Sequence, residues 1–332
     1  MEDSQCCKCD HSLWIVNVER SQGQSQEDRF DDVENFWGYF LSMNSMNAAM
    51  ESGWTLSPLW LAAIVLIGIE ECGLARLKKR MPGSRFRSWR LRGVLYDLGI
   101  ALVCVIDSSP LMGTSMKYLG LHMVIHVVEM FYVPIILILG APWVPALFAL
   151  PVGPRRSFLR WWNFGTLRNV TTRITGFITA PFVALVLFNG TMIFWHLPKF
   201  YNWASWNPWV HTWLMGPSYV IVGYLFWRII LGSHPVGPRG TTKFQVLSVV
   251  VTAFEMLVLA MALSIFSHGA WYSMNIEMLG ATQAFHDQQV AAGILWICGD
   301  FWTIPALVII TRRLIRENGS VEQAFERALG RL

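Results

Sequence analysis

The sequence predicts an all-α, polytopic membrane protein with seven transmembrane helices. Its composition is 54% hydrophobic and only 14% charged, with a mean hydropathy of +0.40, whereas about a quarter of the residues in soluble domains are charged. Its apolar residues also occur in blocks of roughly 15 to 25, the length that a helix needs to cross a bilayer. The ten-residue alternation of a transmembrane barrel is not visible in the sequence. These observations exclude an ordinary cytosolic enzyme and give no support to nucleic-acid binding.

Seven blocks define the predicted spans in chain order. They cover about 56 to 74, 93 to 111, 119 to 141, 174 to 194, 213 to 231, 244 to 267 and 289 to 310. The limits of the first two are the least defined, because Glu70 and Glu71 interrupt the first and Asp97 lies inside the second.

The basic residues predict the orientation of the chain. Most of the 26 Lys and Arg residues fall in the segments after the first, third, fifth and seventh spans. The opposite side holds Lys8, Arg20, Arg29, Lys117 and Lys199. Since cytoplasmic loops carry the excess of Lys and Arg, the N-terminus is predicted outside and the C-terminus in the cytoplasm.

The two ends of the chain differ from the helical domain over residues 54–316. Residues 1–53 hold ten acidic and three basic residues and are rich in Ser and Gln, which predicts a disordered acidic tail; a later Met as the true start is the alternative. No cleavable signal peptide is apparent. The tail carries the cluster Cys6, Cys7, Cys9 and His11, whose thiols would bind zinc or copper, form disulfides or stay free. Residues 317–332 predict a short cytoplasmic helix.

Histidines gather at the predicted outer side. His122 and His126 are four residues apart at the outer end of the third span, so they share a helix face about 6 Å apart, a usual spacing for two ligands of one metal. His196 and His211 flank the third outside loop. Two more, His268 and His286, lie in the last outside loop, and Asp287 follows directly.

Methionines accompany these histidines, and together the two residue types suggest a Cu(I) site. They are Met112, Met116, Met123, Met215, Met274 and Met278. Imidazole with thioether sulfur is a ligand set that suits Cu(I). The competing interpretation is that the methionines only pack in the core and the histidines make structural hydrogen bonds.

Five acidic residues are predicted within the spans: Asp97, Asp107, Glu129, Glu255 and Asp300. A charged carboxylate in hydrocarbon is costly, so each is expected to face the bundle interior or a cleft. They would either relay protons or form neutral interhelical hydrogen bonds.

Three ordered segments carry a family resemblance. HMVIHVVEMFYVPIILILGAPW, then FWHLPKFYNWA with WVH and GYLFW, and finally DQQVAAGILW resemble motifs of the CtaG family of bacterial cytochrome c oxidase assembly factors. This is the seven-helix type, distinct from the single-span copper chaperone of the same name. The resemblance covers about residues 54 to 316.

The resemblance implies a multi-pass assembly factor, not an enzyme, in the bacterial cell (inner) membrane. Its partners would be the subunits of a haem-copper cytochrome c oxidase and the lipid bilayer, and no nucleic acid. Its transient cofactor would be copper. The implied metal ligands are His122, His126, His196, His211, Met215 and Asp287. Met215 departs from the family, which commonly has a second His at that position.

Three functions remain open from the sequence. The first is an assembly factor that holds copper transiently on its outer side and passes it to an oxidase subunit. The second is a metal-free scaffold for oxidase subunits. The third is a membrane di-iron oxygenase or desaturase, which also uses HxxxH pairs but needs more His clusters, usually in the cytoplasm.

Overall fold

A computed structural model describes residues 53–164, 168–318 and 323 of the chain. Within these residues the secondary structure is helical, and β pairing is limited to one isolated bridge between Ser233 and Val236. The helices are α1 (Leu59–Lys78), α2 (Gly83–Ser108), α3 (Pro110–Ser115), α4 (Leu119–Val127), α5 (Val133–Gly140), α6 (Trp143–Ala149), α7 (Val152–Phe164), α8 (Arg168–Ile178), α9 (Pro181–His196), α10 (Pro198–Trp206), α11 (Pro208–Val210), α12 (Gly216–Ile230), α13 (Thr242–Leu263), α14 (Ser273–Leu279) and α15 (Ala281–Asn318). The all-α prediction is confirmed for this part of the chain.

Among the described residues, four helical segments are long and apolar enough to cross a membrane. They are Leu119–Gly140, Pro208–Ile230, Thr242–Leu263 and Ala281–Arg316. A fifth is the pair Thr172–Ile178 and Pro181–His196, which is bent by 55°. All five overlap predicted spans, so several helices of a multi-pass membrane protein are present.

Helices α1 and α2 coincide with the first two predicted spans but carry more charge. They contain 20 and 26 residues, and several acidic and basic side chains lie within them, among them Glu70, Glu71 and Asp97. Glu71 forms an ion pair with Arg90 of α2. The predicted Cys cluster and tail lie outside the described residues, as does most of the predicted helix over 317–332.

Aromatic side chains fill the centre of the bundle. Phe188 of α9 stacks on Phe226 of α12, with ring centroids 4.3 Å apart. Trp302 of α15 packs against Phe131 at 5.0 Å and Trp227 at 6.1 Å. Because each of these residues is at most 1% exposed, their contacts hold α9, α12 and α15 around the segment that follows α4.

Two π-helical turns interrupt the long helices beside the histidines. Val128–Tyr132 joins α4 to α5, and His211–Met215 joins α11 to α12. Each turn precedes a proline, Pro134 or Pro217, which has no N–H to donate and crowds the preceding turn. A widened turn relieves this crowding, and π turns often occur at functional sites.

Gly223 lets α12 approach the first of these turns closely. A Cβ atom at Gly223 would lie 2.2 Å from the carbonyl oxygen of Met130 and 2.6 Å from the ring of Pro134. Pro134 has no N–H to donate to the carbonyl of Met130, four residues earlier, as another residue in its place would do. The absence of a side chain at Gly223 therefore allows the two helices to meet at the widened turn.

The connecting segments collect at two opposite ends of the bundle. At one end, α3, α10, α11 and α14 cover the start of α4, and this is called the histidine end below. Its contacts include the hydrogen bonds from Asn275 to the carbonyl of Lys117 (2.9 Å) and from the Ser273 N–H to Asn202 (3.0 Å).

The other end is rich in arginine. Arg313 donates to the carbonyl of Ile230 (2.7 Å) and to Gln245 (3.2 Å), and Arg92 donates to the carbonyl of Leu139 (3.0 Å). Cationic side chains are suited to the last carbonyls of a helix, which have no partner within the helix. The predicted outside and inside loops thus lie at separate ends of the described bundle.

Candidate metal centre

Three buried histidines converge where α4 and the second π turn meet. His122 and His126 lie on successive turns of α4, and His211 begins the π turn. When one ring nitrogen is taken from each histidine, the three atoms lie within 4.8 Å of one another. The Nε2 atoms of His122 and His126 are 3.0 Å apart, and both of these rings are 5.4 Å from the ring of His211. The predicted pair on α4 is therefore joined by a third imidazole from a distant part of the sequence.

Glu129 fixes one of these rings. Its carboxylate lies 2.8 Å from Nδ1 of His126, and both side chains are buried. If the carboxylate accepts from an Nδ1–H, the Nε2 atom of His126 keeps its lone pair for another partner, which is the usual arrangement of a metal-binding histidine. His122, His126 and Glu129 follow each other at helical intervals on one face.

His196 lies beside this group together with a sulfur atom. Its Nε2 is 3.2 Å from the sulfur of Met123, and its Nδ1 is 2.6 Å from the carbonyl oxygen of Met192. The ring is near enough to His122 and His126 to interact electrostatically with both. The sulfur of Met123, one of the methionines predicted near these histidines, therefore lies next to His196.

Met215 and Asp287 are placed differently from the three converging histidines. Met215 is buried at the end of the π turn that His211 begins. Asp287 accepts hydrogen bonds from the backbone N–H groups of Leu119 (2.5 Å) and Gly120 (3.2 Å). Its carboxylate therefore caps the N-terminus of α4, where negative charge is favourable, and positions the helix that carries His122 and His126.

Tyrosines cover the cluster from two directions. The ring of Tyr219 lies 4.8 Å from that of His126, and the ring of Tyr201 lies 5.1 Å from that of His122. Tyr272 packs against Tyr201 at 4.0 Å and donates to the carbonyl of His196 (3.0 Å). Burial raises the pKa of Tyr201 and of Tyr272, so both phenols stay neutral donors.

Three buried polar atoms at this site have no hydrogen-bond partner among the described residues: Nδ1 of His122, Nε2 of His211 and the hydroxyl of Tyr219. His211 is 3% and Tyr219 is 1% exposed. An unsatisfied buried polar group costs about 1–3 kcal/mol, so such atoms call for an explanation. A bound ion would satisfy the free nitrogen of His211.

The geometry fits a soft metal ion. Metal–imidazole bonds of about 2.0–2.1 Å place the nitrogens around one ion roughly 3–4 Å apart. The Nε2 atoms of His122 and His126 are 3.0 Å apart, and one nitrogen from each of the three rings lies within 4.8 Å of the others. Neutral imidazoles in an apolar surrounding suit Cu(I) better than Mg²⁺ or Ca²⁺, which prefer oxygen ligands.

Glu129, Tyr201 and Tyr219 are site residues that the sequence reasoning did not assign. For Glu129 a signal was available, because His122, His126 and Glu129 share a helix face at spacings of four and three. For the tyrosines there was none, since their contact with the histidines depends on how separate helices pack. Gln288 was also missed; it accepts from the Trp271 N–H (2.7 Å) and donates to the carbonyl of Leu263 (2.9 Å), which ties the DQQ segment to the end of α13.

Two of the other predicted intramembrane acids, Glu255 and Asp107, have surroundings that differ from those of Glu129. Glu255 of α13 has both carboxylate oxygens buried without a hydrogen-bond partner among the described residues, as does Glu70 of α1. Asp107 accepts from the hydroxyl of Ser57. Of these acids and Glu129, Glu129 is the one in contact with a histidine of the cluster.

Comparison with known proteins identifies the relatives of this chain. A family model described as cytochrome c oxidase caa3 assembly factor (Caa3_CtaG) matches residues 72–317. Uncharacterized proteins of Mycobacterium bovis and Mycobacterium tuberculosis are each 26% identical to the chain over 299 residues. An uncharacterized protein of Mycobacterium leprae is 25% identical over 307 residues.

The matched region covers most of this chain but less of its relatives. In each case it includes 88% of this chain and 44% of the relative. The chain therefore spans about half the length of the curated relatives it matches. No solved structure matches it.

Proposed function

This chain belongs to the family of cytochrome c oxidase caa3 assembly factors, and we propose that it binds Cu(I) at His122, His126 and His211 and assists formation of the copper centres of a haem-copper oxidase. The observation that carries the proposal is the convergence of three buried imidazoles on one point. His196 and Met123 lie beside them as further ligands for an ion in transit. Met215 and Asp287 are the other two ligands predicted from the sequence; in this proposal Asp287 positions α4 through its bonds to Leu119 and Gly120.

The proposal includes the topology predicted from the sequence. The chain crosses a bacterial cell membrane seven times, with the N-terminus and the histidine end outside and the arginine-rich end in the cytoplasm. This orientation puts the ligands on the side where an outward-facing copper centre is built. It also lets the arginines hold helix ends at the cytoplasmic surface.

Ligand exchange, with no chemical turnover, is the proposed mechanism. The ion enters when His122 and His126 give up the hydrogen bond that joins their Nε2 atoms. The proton of that bond moves to Nδ1 of His122, so both rings stay neutral and both Nε2 lone pairs are free. Glu129 holds His126 in the productive tautomer and supplies negative charge near the bound ion. Three neutral ligands capture Cu(I), yet they release it to an oxidase site that offers a more complete set.

Metal content of the purified protein tests the binding step. The full chain in detergent is loaded anaerobically with Cu(I), beside the His122→Ala/His126→Ala variant. The matched control is His268→Ala/His286→Ala, which removes two exposed histidines at the same end. We expect copper on the native chain and the control and its loss from the cluster variant. Equal copper on all three proteins, or none on the native chain, would overturn the proposal.

A deletion strain tests the role in assembly. Strains that carry the native gene or either variant are compared for oxidase copper content and for the amount of oxidase polypeptide. The cluster variant should leave the polypeptides present but poor in copper. Full copper content with that variant would show that the histidines are not needed for delivery.

A metal-free scaffold is the second candidate function, and one observation favours it. Both ring nitrogens of His126 already have partners, His122 and Glu129, without an ion. In that case the histidines are a structural hydrogen-bond network, and the His122→Ala/His126→Ala variant destabilises the fold while any folded fraction still supports a copper-replete oxidase.

A further inference from the structure

A cavity at the histidine end shares the residue His211 with the proposed copper site. Its volume is about 340 Å³, and its walls come mainly from α3, from the segment before α1, and from α11 and the π turn that follows it. The methionines Met112, Met116 and Met274 line it, and His211 forms part of the same wall. We define it below as the methionine cavity.

His211 belongs both to the methionine cavity and to the three-histidine cluster. Its Nε2 atom is buried and has no hydrogen-bond partner among the described residues. Thr212, the next residue of the π turn, also lines the cavity. The widened turn therefore places one imidazole between the cavity and the deeper pair, His122 and His126.

The three methionines come from two separate segments. Met112 and Met116 are four residues apart, within and directly after α3, so they lie on one helical face. Met274 lies on α14. The sulfur of Met112 accepts from the hydroxyl of buried Ser115 (3.7 Å), which restrains that side chain. Packing alone explains a methionine in a core, but here three of them border a space that contains no protein atoms.

We propose that the methionine cavity is the port through which Cu(I) reaches and leaves the histidine cluster, with Met112, Met116 and Met274 as exchange ligands. This inference rests on the proposed function, because it assigns the route of the same ion. Thioether sulfur is a neutral, soft ligand that favours Cu(I) over hard cations. Neutral ligands on a flexible chain bind the ion without trapping it. Asp107, which also lines the cavity, provides negative charge that attracts a cation to the opening.

If the methionine cavity is the port, loss of its sulfurs should change the rates of Cu(I) loading and release but not the amount of Cu(I) bound. In the full chain in detergent, Cu(I) is supplied as its acetonitrile complex and withdrawn by bathocuproine disulfonate, with both reactions followed in time. The test variant is Met112→Leu/Met116→Leu/Met274→Leu, which keeps side-chain volume and removes the sulfurs. The control is Met81→Leu/Met261→Leu/Met278→Leu, which alters three methionines that do not line the cavity.

We expect the test variant to bind as much copper as the native chain but to load and release it at least about tenfold more slowly, a loss of the size seen when residues that support a metal site are removed. The control should keep native rates. A second variant, Thr55→Trp, places a large side chain at an exposed residue of the cavity wall and should slow both steps in the same way.

The port would be overturned if the test variant and Thr55→Trp both loaded and released Cu(I) at native rates. If copper binding still depended on His122 and His126, the proposed function would remain intact. Loss of all copper from the test variant would also overturn the port, because the methionines would then be the holding ligands. Absence of copper from the native chain would instead refute the proposed function itself. The three results are distinct.

Discussion

The contact between His126 and Glu129 is the arrangement that metal-binding histidines commonly have, with a carboxylate at the second ring nitrogen. A carboxylate 2.8 Å from Nδ1 orients the ring and leaves Nε2 directed at His122. Buried carboxylates in hydrocarbon are costly and are retained when they have a partner or a function. Glu129 has such a partner in His126, which is one of the three histidines of the cluster.

Replacing Glu129 tests this role at the level of one atom pair. Glu129→Gln keeps the shape of the side chain but offers a weaker, neutral acceptor to His126. We expect the affinity for Cu(I) to fall by about 10- to 100-fold, the range found when outer partners of metal ligands are changed, while the stoichiometry is unchanged. Competition with a Cu(I) chelator measures the affinity.

Glu255→Gln is the matched control, since it makes the same change at a buried acid of α13 that has no contact with the histidines. Its affinity should equal that of the native chain. If Glu129→Gln binds Cu(I) as tightly as Glu255→Gln, the carboxylate does not support the site.

At the scale of helices, the sequence predicted where apolar segments lie but not how they are deformed. The third predicted span, 119–141, agrees with Leu119–Gly140, because about twenty consecutive apolar residues leave few alternatives. The two π turns were not predicted, although Pro134 and Pro217 are visible in the sequence. A proline in a helix permits a kink, a break or a widened turn, and the packing of neighbouring helices decides among them.

The same limit applies to the site residues. Spacing on one helix was sufficient to pair His122 with His126, because residues four apart always share a face. Spacing alone could not place His211 beside this pair. The family resemblance implied His211 as a ligand, but its position depends on the second π turn and on the contact of α12 with the first one. Nor did spacing show that Asp287 caps α4, since that bond joins residues far apart in the sequence.

Gly223 provides a test of the close contact at the first π turn. In Gly223→Ala the new Cβ would lie 2.2 Å from a backbone carbonyl, so α12 must move away. We expect a loss of about 1–3 kcal/mol in the free energy of unfolding, typical of overpacking, and a weaker copper site, because α12 follows directly from the turn that carries His211. Thermal unfolding in detergent measures the first effect and chelator competition the second.

Gly293→Ala is the control within α15, where a Cβ would meet no atom within 4 Å. Alanine is favoured over glycine in a helix by about 0.5–1 kcal/mol, so its stability should be unchanged or slightly higher. A Gly223→Ala protein as stable as Gly293→Ala would contradict the contact.

At the scale of the whole molecule, the two ends of the bundle have different chemistry. The histidine end holds the cluster, the methionine cavity and the hydrogen bonds that join α3, α10 and α14. The other end holds arginines that donate to helix carbonyls. Because a donor of copper to an outward-facing centre must present its ligands outside, the proposed function requires the histidine end to face away from the cytoplasm.

Labelling of single cysteines in intact cells tests this orientation. In a chain whose six native cysteines are replaced by alanine, Lys199→Cys places a thiol on α10 at the histidine end, and Gly237→Cys places one between α12 and α13 at the other. Both positions are exposed, and a Cβ at Gly237 meets no atom within 4 Å. A membrane-impermeant maleimide should label Lys199→Cys in intact cells and Gly237→Cys only after the membrane is opened. The reverse pattern would place the histidines on the cytoplasmic side, where they cannot supply copper from outside, and an assembly role would then have to begin from the cytoplasm.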